Sequence, residues 1–172
     1  GGRTVYDGGG ILPDVTLETA VFSPITTALL KDDAIFEFAT SYHYANQMTD
    51  WQNFTITNAD FENFIRFLKE KNFQYKTETE KELIKAISNA ENDNLSGAIK
   101  EPYQQLITSI GKAKEKDLIS KKAEVMSLLS DEILKQYFYR NGLYNYEVIN
   151  NPEILEAVSI LKNTKRYRNI LN

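Results

Sequence analysis

Few side chains of this chain could do chemistry, and none of them occurs in a pattern that completes a reactive site. His43 is the only histidine and there is no cysteine, which excludes metal sites built from two or three histidines or from thiolates. No partner pattern for a catalytic histidine surrounds His43, so we interpret it as a helix-surface residue or a buried, hydrogen-bonded one. Carboxylates are plentiful, but the sequence selects no pair of them for acid–base work. The sequence therefore predicts no catalytic residue, no bound metal and no cofactor.

Two segments mimic ligand-binding loops but fail at a decisive position. Residues 92–97 place Asn, Asn, Ser and Gly at positions 1, 3, 5 and 6 of a calcium-binding loop, yet position 12 falls on Tyr103, where a bidentate glutamate is needed. Gly8, Gly9 and Gly10 could cradle a phosphate, but no Gly-Lys-Ser/Thr follows them. We interpret both segments as structural turns.

Charge and aromatic residues limit the partners that this chain could have. The net charge is −4, which argues against nucleic acid, because nucleic acid needs a clustered basic face. No run of about 18 apolar residues is present, so the sequence predicts no membrane span. The densest aromatic patch, residues 137–146, favours core packing, with a protein-interaction surface as the second interpretation. The basic residues 165–168 are typical of a solvated last helical turn.

The glycine-rich start of the chain carries a family resemblance. Five of the eight glycines lie in the first ten residues, and glycine is normally placed where a fold needs positive φ or a close backbone approach. A Gly-Arg pair, an apolar step, a glycine run and a Pro-Asp pair occur in the order Gly2, Arg3, Val5, Tyr6, Gly8, Gly9, Gly10, Ile11, Pro13 and Asp14. This order and spacing resemble the last block of the catalytic domain of carboxyl-terminal processing peptidases, the tail-specific serine proteases of family S41. Residues 23–40 that follow resemble the start of the helical tail carried by some Gram-negative members.

The resemblance implies a parent protein that hydrolyses peptide bonds with a serine nucleophile and a lysine general base. These two residues, the oxyanion hole and the peptide-binding PDZ domain belong upstream of the glycine block, so none of them can be carried onto this chain. The chain itself is therefore expected not to be an enzyme. The implied location is the periplasm or cell envelope. The implied partners are the upstream peptidase core of the same polypeptide and the parent's protein or peptide substrates, with self-association left open.

After Phe22 the apolar residues recur at helical spacing, which predicts a series of helices. Residues with capping side chains precede most of the apolar stripes and predict where the helices begin. The predicted starts are Ser23-Pro24, Asp32 or Asp33, Thr57 with Asp60, Thr77 with Glu80, and Asn151-Pro152. The sequence therefore predicts an all-α fold of mostly antiparallel helices over residues 23–172, preceded by an extended glycine-rich arm, residues 1–22, that ends the upstream core.

Several boundaries inside this helical region are predicted from single residues. A turn is expected within residues 89–97, followed by a long helix in which Pro102 is tolerable only in the first turn. Residues 111–117 contain one apolar side chain, so the helix is expected either to stand exposed or to break at Gly111. Asn141-Gly142 predicts a helix end. Residues 48–56 are expected to form a loop or short strand that buries the indole of Trp51.

Two functions from different classes remain open at this point. The first is a non-catalytic C-terminal helical domain of a tail-specific serine endopeptidase, which packs on the protease core, regulates it or mediates oligomerisation. The second is an independent helical adaptor that has no protease activity and whose glycine-rich arm is a linker. Hydrolysis by the chain itself has no support from its residues.

Overall fold

A computed structural model describes residues 13–17 and 21–171, and this part of the chain is entirely helical apart from its connections. The all-α fold expected from the sequence is confirmed, because eight helices and no strand occur in the described ranges. The helices are α1 (Pro24–Lys31), α2 (Ala34–Ala45), α3 (Asn58–Glu70), α4 (Glu78–Asn92), α5 (Ser96–Ser120), α6 (Lys122–Asn150), α7 (Pro152–Lys162) and α8 (Thr164–Leu171).

Local capping contacts begin four of these helices where the sequence predicted. The Ser23 hydroxyl accepts from the Thr26 amide, ahead of a proline in the first turn of α1. Thr57 and Thr77 each form a complete capping box with the acidic residue three positions later, at the start of α3 and α4. Asn151 caps α7 through its side-chain oxygen. Asp33 precedes α2 in a left-handed conformation, but its side chain makes no capping bond.

The core lies between α1, α2, α3 and the first half of α6. Phe61 and Phe64 of α3 and Leu129 of α6 are among the largest side chains that are fully buried. Aromatic rings of α2 and α3 meet edge to face, with the Phe38 and Phe64 centroids 5.1 Å apart, a geometry that favours aromatic pairs. The remaining members of this core cluster are Ile25, Leu29, Ala34, Ile35, Phe38, Ala39, Ile56, Leu68, Val125 and Ile133.

Helices α4 and α5 form a long hairpin that is much less buried. Ala90 is the only buried residue of α4, and no described side chain of α5 is buried. The turn at Asp93 to Leu95 reverses the chain, with Asn94 in the left-handed region at φ 59°. We call residues 83–111 of this hairpin the arm, because the core cluster contains none of them. From here on, this name refers to the helical hairpin and not to the glycine-rich residues 1–22.

Pro102 lies in the interior of α5, and this corrects the prediction that it would occupy the first turn. The helix begins at Ser96, so the proline falls in its second turn. A proline there removes one amide donor and crowds the preceding turn. The turn was predicted within residues 89–97, whereas the helix already begins at Ser96. The Leu95 carbonyl accepts from the Ala98 and Ile99 amides.

The predicted helix end at Asn141-Gly142 is found a few residues early. The backbone leaves helical geometry at Tyr139, where φ is 58° and ψ is −165°, and α6 then resumes to Asn150. Gly142 is buried, and a Cβ on it would overlap the Phe138 side chain. The glycine is therefore needed for close packing just after the kink, not for ending the helix.

Two other boundary predictions have mixed outcomes. α5 runs without interruption through Gly111 and most of residues 111–117 are exposed, which confirms the exposed alternative, and the chain breaks later at Lys121. Trp51 lies in a non-helical connection as expected, but it is half-buried rather than buried, and residues 52–56 form a turn and coil with no strand. The Trp51 carbonyl accepts from the Phe54 amide, so of the two predicted alternatives, loop or short strand, the loop is confirmed.

A candidate binding cleft

A large cavity lies between the core and the part of α5 that follows the arm. It has a volume of about 940 Å³ and is bounded by α1, α3, the connection from α3 to α4, and α5. Its apolar lining includes Ile25 and Leu68, which belong to the core cluster, and Leu118, which packs against that cluster. A cavity of this size is within the range of natural ligand sites, which combine an apolar lining with a few polar groups.

A lysine from α5 supplies the central polar contacts of the cleft. Lys114 Nζ lies 2.9 Å from Glu80 Oε2, and it donates a second hydrogen bond to the carbonyl of Tyr75. The same ammonium lies 4.5 Å from the centroid of the Tyr75 ring. The side chains of Lys114 and Glu80 are 21% and 13% exposed, so this ion pair is more shielded from water than a surface pair. These contacts hold α5 against the start of α4 and against the connection that precedes it.

The pKa values of Tyr75 and Glu80 are shifted by burial and by neighbouring groups. Burial, aided by the nearby Asp117 carboxylate, raises the pKa of Tyr75 to about 12. Burial alone would raise the pKa of Glu80, but the Thr77 amide and the Lys114 ammonium outweigh it and lower that pKa. At neutral pH the phenol is therefore protonated, the carboxylate is ionised, and the ammonium is already paired.

The connection between α3 and α4 forms one wall of the cleft and has the pattern of extended backbone. Along residues 73–77 half-buried and exposed positions alternate, with Phe73, Tyr75 and Thr77 turned inward. The Phe73 and Tyr75 rings are stacked, with centroids 6.1 Å apart. A burial period of two is typical of an extended strand. Gln74 and Lys76 are the two exposed positions between them.

A second, smaller cavity of about 310 Å³ lies where the two halves of α6 fold back on each other. Asp131 from the first half and Glu147 from the second half both line it, together with Tyr146. Burial and then the Glu147 charge raise the pKa of Asp131 to about 6. This pair of carboxylates destabilises the packing across the kink at neutral pH, since like charges are brought together.

The residues that carry the family resemblance lie mostly outside the described ranges. Gly2, Arg3, Gly8, Gly9, Gly10 and Ile11 are outside them, so their predicted structural role stays a prediction. Pro13 and Asp14 are described, and both are exposed and non-helical. The proposed domain boundary after residue 22 likewise stays a prediction. The Ser23 amide, which follows this boundary, donates to Glu124 of α6 at 3.1 Å.

The other residues singled out from the sequence are not brought together in one site. His43 lies in the last turn of α2 with its ring 4.4 Å from the Tyr137 ring. The segment that mimicked a calcium loop begins at the last residue of α4, and α5 starts after three non-helical residues, so a twelve-residue loop cannot form there. The described residues contain no group of three or more His, Cys, Asp or Glu that could hold a metal ion. None of the described helices is long and apolar enough to cross a membrane.

The aromatic patch divides between the inside and the surface of the molecule. Tyr137 donates to the Asn46 carbonyl at 2.8 Å and joins α6 to the end of α2. Tyr139, by contrast, is 80% exposed, and Tyr144 is also exposed. Core packing is therefore confirmed for part of the patch, and a protein-interaction surface stays a prediction for the exposed part.

Sequence reasoning missed the cluster around Lys114. Lys114 was grouped with the solvated residues 111–117, because its partners lie 34 and 39 residues away in sequence. Helical periodicity reports only which residues share a face of one helix. The one local signal was the Thr77 and Glu80 capping box, which fixed the position of the carboxylate but not its second partner.

A comparison with protein families gives one match. The family model described as "Probable PDZ-protease, C-terminal helical domain" matches residues 25–161, which is most of the described chain. Neither the curated proteins nor the solved structures contain a match to this sequence.

Proposed function

Because the chain belongs to the family of C-terminal helical domains of probable PDZ-proteases, we propose that it is the non-catalytic helical domain of an S41 tail-specific serine endopeptidase. In this role the domain packs on the upstream peptidase core, regulates access to it, or holds copies of the enzyme together. The observation that carries the proposal is the family match over residues 25–161.

Two separate parts of the sequence support the same parent. The resemblance to the S41 core rests on residues 2–14, and the family match covers residues 25–161, so the two do not overlap. A PDZ domain is part of the architecture that the resemblance implies and is also part of the family's description. The finer assignment to S41 is supported by this agreement, and the periplasmic or cell-envelope location is proposed with it.

The amount of exposed surface supports a docking role. The chain exposes 12749 Å², whereas a compact monomer of 19.7 kDa exposes roughly 8,600 Å². Setting aside roughly 2,700 Å², the most that the residues outside the described ranges could expose, still leaves an excess of about 1,500 Å². A stable protein interface needs about 800 Å² from each partner, so the excess is sufficient for one.

Exposed apolar side chains occur on α5 to α8 and are candidates for this contact. Leu106 and Ile119 of α5 are both at least half exposed. Val148, Leu155 and Leu161 form a second group near the end of the chain, on the helices that follow the kink. We propose that the peptidase core of the same polypeptide covers part of this surface.

Casein digestion by the parent polypeptide tests the proposal. The protein encoded by the whole reading frame is compared with three variants: one in which the upstream serine is replaced, one that lacks residues 23–172, and one with Leu161→Glu on the exposed apolar surface. We expect the serine variant to be inactive and the isolated 172-residue chain to digest nothing. Removal of residues 23–172 is expected to change the rate or the product pattern, because the domain contacts the core.

The same experiment separates this proposal from the adaptor alternative. A reading frame that contains no upstream peptidase core, or a core whose activity ignores the serine replacement, would support an independent adaptor. Casein digestion by the 172-residue chain alone would contradict both functions.

A further inference from the structure

We propose that the smaller cavity, where the two halves of α6 face each other, is a calcium site whose ligands are carboxylate, hydroxyl and amide oxygens from both halves. Ser130 and Asp131 line it from the half before the kink, and Glu147 and Asn150 line it from the half after the kink. A cation bound there holds the end of the chain against the core. This inference goes beyond the proposed function and does not depend on the identity of the parent.

Helical spacing places these oxygens on two stripes that face each other. Ser127 lies four residues before Asp131, and Glu147 lies three residues before Asn150, so each pair shares one face of its half of α6. All four residues line the same cavity of about 310 Å³. Neither stripe carries enough ligands for a metal by itself, which is why the sequence predicted none. The fold-back of α6 at its kink brings the two stripes together.

The negative charge of this cavity is not compensated. Asp131 and Glu147 are the only charged residues in its described lining. Neither side chain forms an ion pair or a hydrogen bond with any residue of the ranges 13–17 and 21–171. Lys135, one helical turn after Asp131, is paired with Glu132 at 3.0 Å. A divalent cation between the two carboxylates replaces their repulsion with two attractions.

The buried hydroxyl of Ser130 points to a ligand independently of the charges. Ser130 is 6% exposed, and its hydroxyl has no hydrogen-bond partner in the part of the chain that the structure describes. Other helical hydroxyls of this chain donate to the carbonyl four residues earlier, as Ser41, Thr108 and Ser109 do. No fully enclosed side-chain oxygen of the described residues lacks a partner, so the Ser130 oxygen keeps its accessible surface towards the cavity. A buried oxygen in that position needs a partner from outside the chain.

The chemistry of the donors selects calcium among the metal ions. Carboxylate, hydroxyl and amide oxygens suit hard cations such as Ca²⁺ and Mg²⁺. The Asn150 side-chain amide nitrogen donates to the Tyr146 carbonyl at 2.9 Å, which leaves its amide oxygen available as a ligand. Mg²⁺ requires a near-ideal octahedron, whereas Ca²⁺ accepts about six to eight oxygens in flexible geometry. Side chains from two halves of a kinked helix meet the second requirement more easily than the first.

The number and exposure of the carboxylates set the expected affinity. Asp131 and Glu147 are both half-buried, so water can complete the coordination sphere. Because only two of the ligands are charged, we expect a dissociation constant of about 0.1–1 mM for Ca²⁺.

Isothermal titration calorimetry of the 172-residue chain with CaCl₂ at neutral pH tests this inference. The chain is first treated with EDTA and dialysed, NaCl of the same ionic strength is the blank, and MgCl₂ is titrated in parallel. We expect one Ca²⁺ per chain and at least about tenfold weaker binding of Mg²⁺. With about 10 mM CaCl₂, the melting temperature should rise by about 3–10 °C above that in the NaCl blank.

Three variants locate the binding on the protein. Asp131→Asn and Glu147→Gln each remove one carboxylate and should weaken Ca²⁺ binding by at least about tenfold. Ser130→Ala removes only the buried hydroxyl and should weaken it by about threefold to tenfold. The matched controls are Glu62→Gln on the exposed side of α3 and Ser109→Ala on the exposed side of α5, and neither should change the binding.

Folding and binding are separated in this test. Asp131→Asn removes a repulsion, so without Ca²⁺ it should be at least as stable as the unmodified chain, and its loss of binding does not come from unfolding. Circular dichroism checks the fold of every variant. Absence of saturable binding at about 10 mM CaCl₂ would overturn the proposal, as would equal losses in Asp131→Asn and Glu62→Gln.

Two further outcomes would also count against the site. Binding of Mg²⁺ as tight as that of Ca²⁺ would overturn the assignment to calcium. A loss in both carboxylate variants with no change in Ser130→Ala would show a diffuse counter-ion instead of a built site. Casein digestion by the parent has no bearing on these results, so the two proposals fail separately.

Discussion

The core and the arm are both helical, but different interactions hold them. Side chains of the core such as Phe64 and Leu129 are fully buried, so tertiary packing supplies most of the stability there. In the arm, Ala90 is the one buried residue among those described. The arm depends instead on the contacts of α4 with α5 and on local ion pairs such as Lys85 with Glu82.

This difference indicates a division of roles. The core gives a rigid wall for the cleft, and α5 gives the opposite wall, which is joined to the core through Lys114 and Leu118. Regions with few buried contacts open locally at low free-energy cost. The cleft therefore lies between the core and the part of α5 that follows the arm.

The largest expected effect is the loss of a core aromatic ring. Phe64→Ala removes a side chain with 0% exposure and is expected to lower the free energy of unfolding by about 3–5 kcal/mol, through lost burial and an unfilled cavity. The matched arm variant is Leu106→Ala, at a residue that is 50% exposed. It should change the free energy of unfolding by less than about 0.5 kcal/mol. Urea denaturation followed by circular dichroism measures both. Similar losses for the two variants would contradict the comparison.

The next largest effect is expected where the arm is joined to the core. Lys114→Met keeps most of the apolar stem but leaves Glu80 without its cation, and we expect a loss of about 1–2 kcal/mol, because this pair is largely shielded from water. Lys85→Met removes an exposed pair with Glu82 and is the control, with an expected change below about 0.5 kcal/mol. Urea denaturation again measures both, and no difference between the two would show that the junction is not held by this pair.

A pH-dependent effect is expected within α6, where the core continues into the kinked helix. Because the folded chain raises the pKa of Asp131 from 3.8 to about 6, it binds this proton more tightly than the unfolded chain does. The stability contributed by the protonated form is thus present below about pH 4 and lost as the pH rises through the folded-state pKa. Asp131→Asn should stabilise the chain by about 1 kcal/mol at pH 7.5, after discounting for the partial exposure of the carboxyl.

Thermal unfolding between pH 4.5 and 7.5 measures this effect. We expect the advantage of Asp131→Asn over the unmodified chain to grow with pH across that range. Glu62→Gln, on the exposed side of α3, is the control and should show no such trend. An advantage for Asp131→Asn that is largest at low pH would contradict the assigned sign.

The smallest effect compares two capping boxes of the same type. Thr57→Ala at the start of α3 should lower the global free energy of unfolding by about 1 kcal/mol, since an alanine leaves the first-turn amide without its acceptor. Thr77→Ala at the start of α4 should cost a few tenths of a kcal/mol globally, because α4 frays without unfolding the core. Urea denaturation gives the global value, and amide exchange of the first turn of α4 gives the local one. Equal global losses would place α4 in the same cooperative unit as α3.

The sequence was sufficient for those features that depend on neighbouring residues. The capping pairs Thr57 with Asp60 and Thr77 with Glu80 were predicted correctly, because each is completed within one helical turn. The kink at Tyr139 was not, since it depends on how closely Phe138 and Gly142 pack once α6 folds back. The cleft was missed for the same reason, as Lys114 meets residues that are distant in sequence.

The central claim is that a stable core and an arm that opens independently of it lie on either side of the cleft. Residue-resolved hydrogen exchange of the 172-residue chain tests this claim most directly. We predict that amides of α2, α3 and residues 125–134 exchange only through global unfolding, and that amides of residues 83–111 exchange through local opening with a free energy several kcal/mol lower. Equal protection in both regions, falling together as urea is added, would contradict the account.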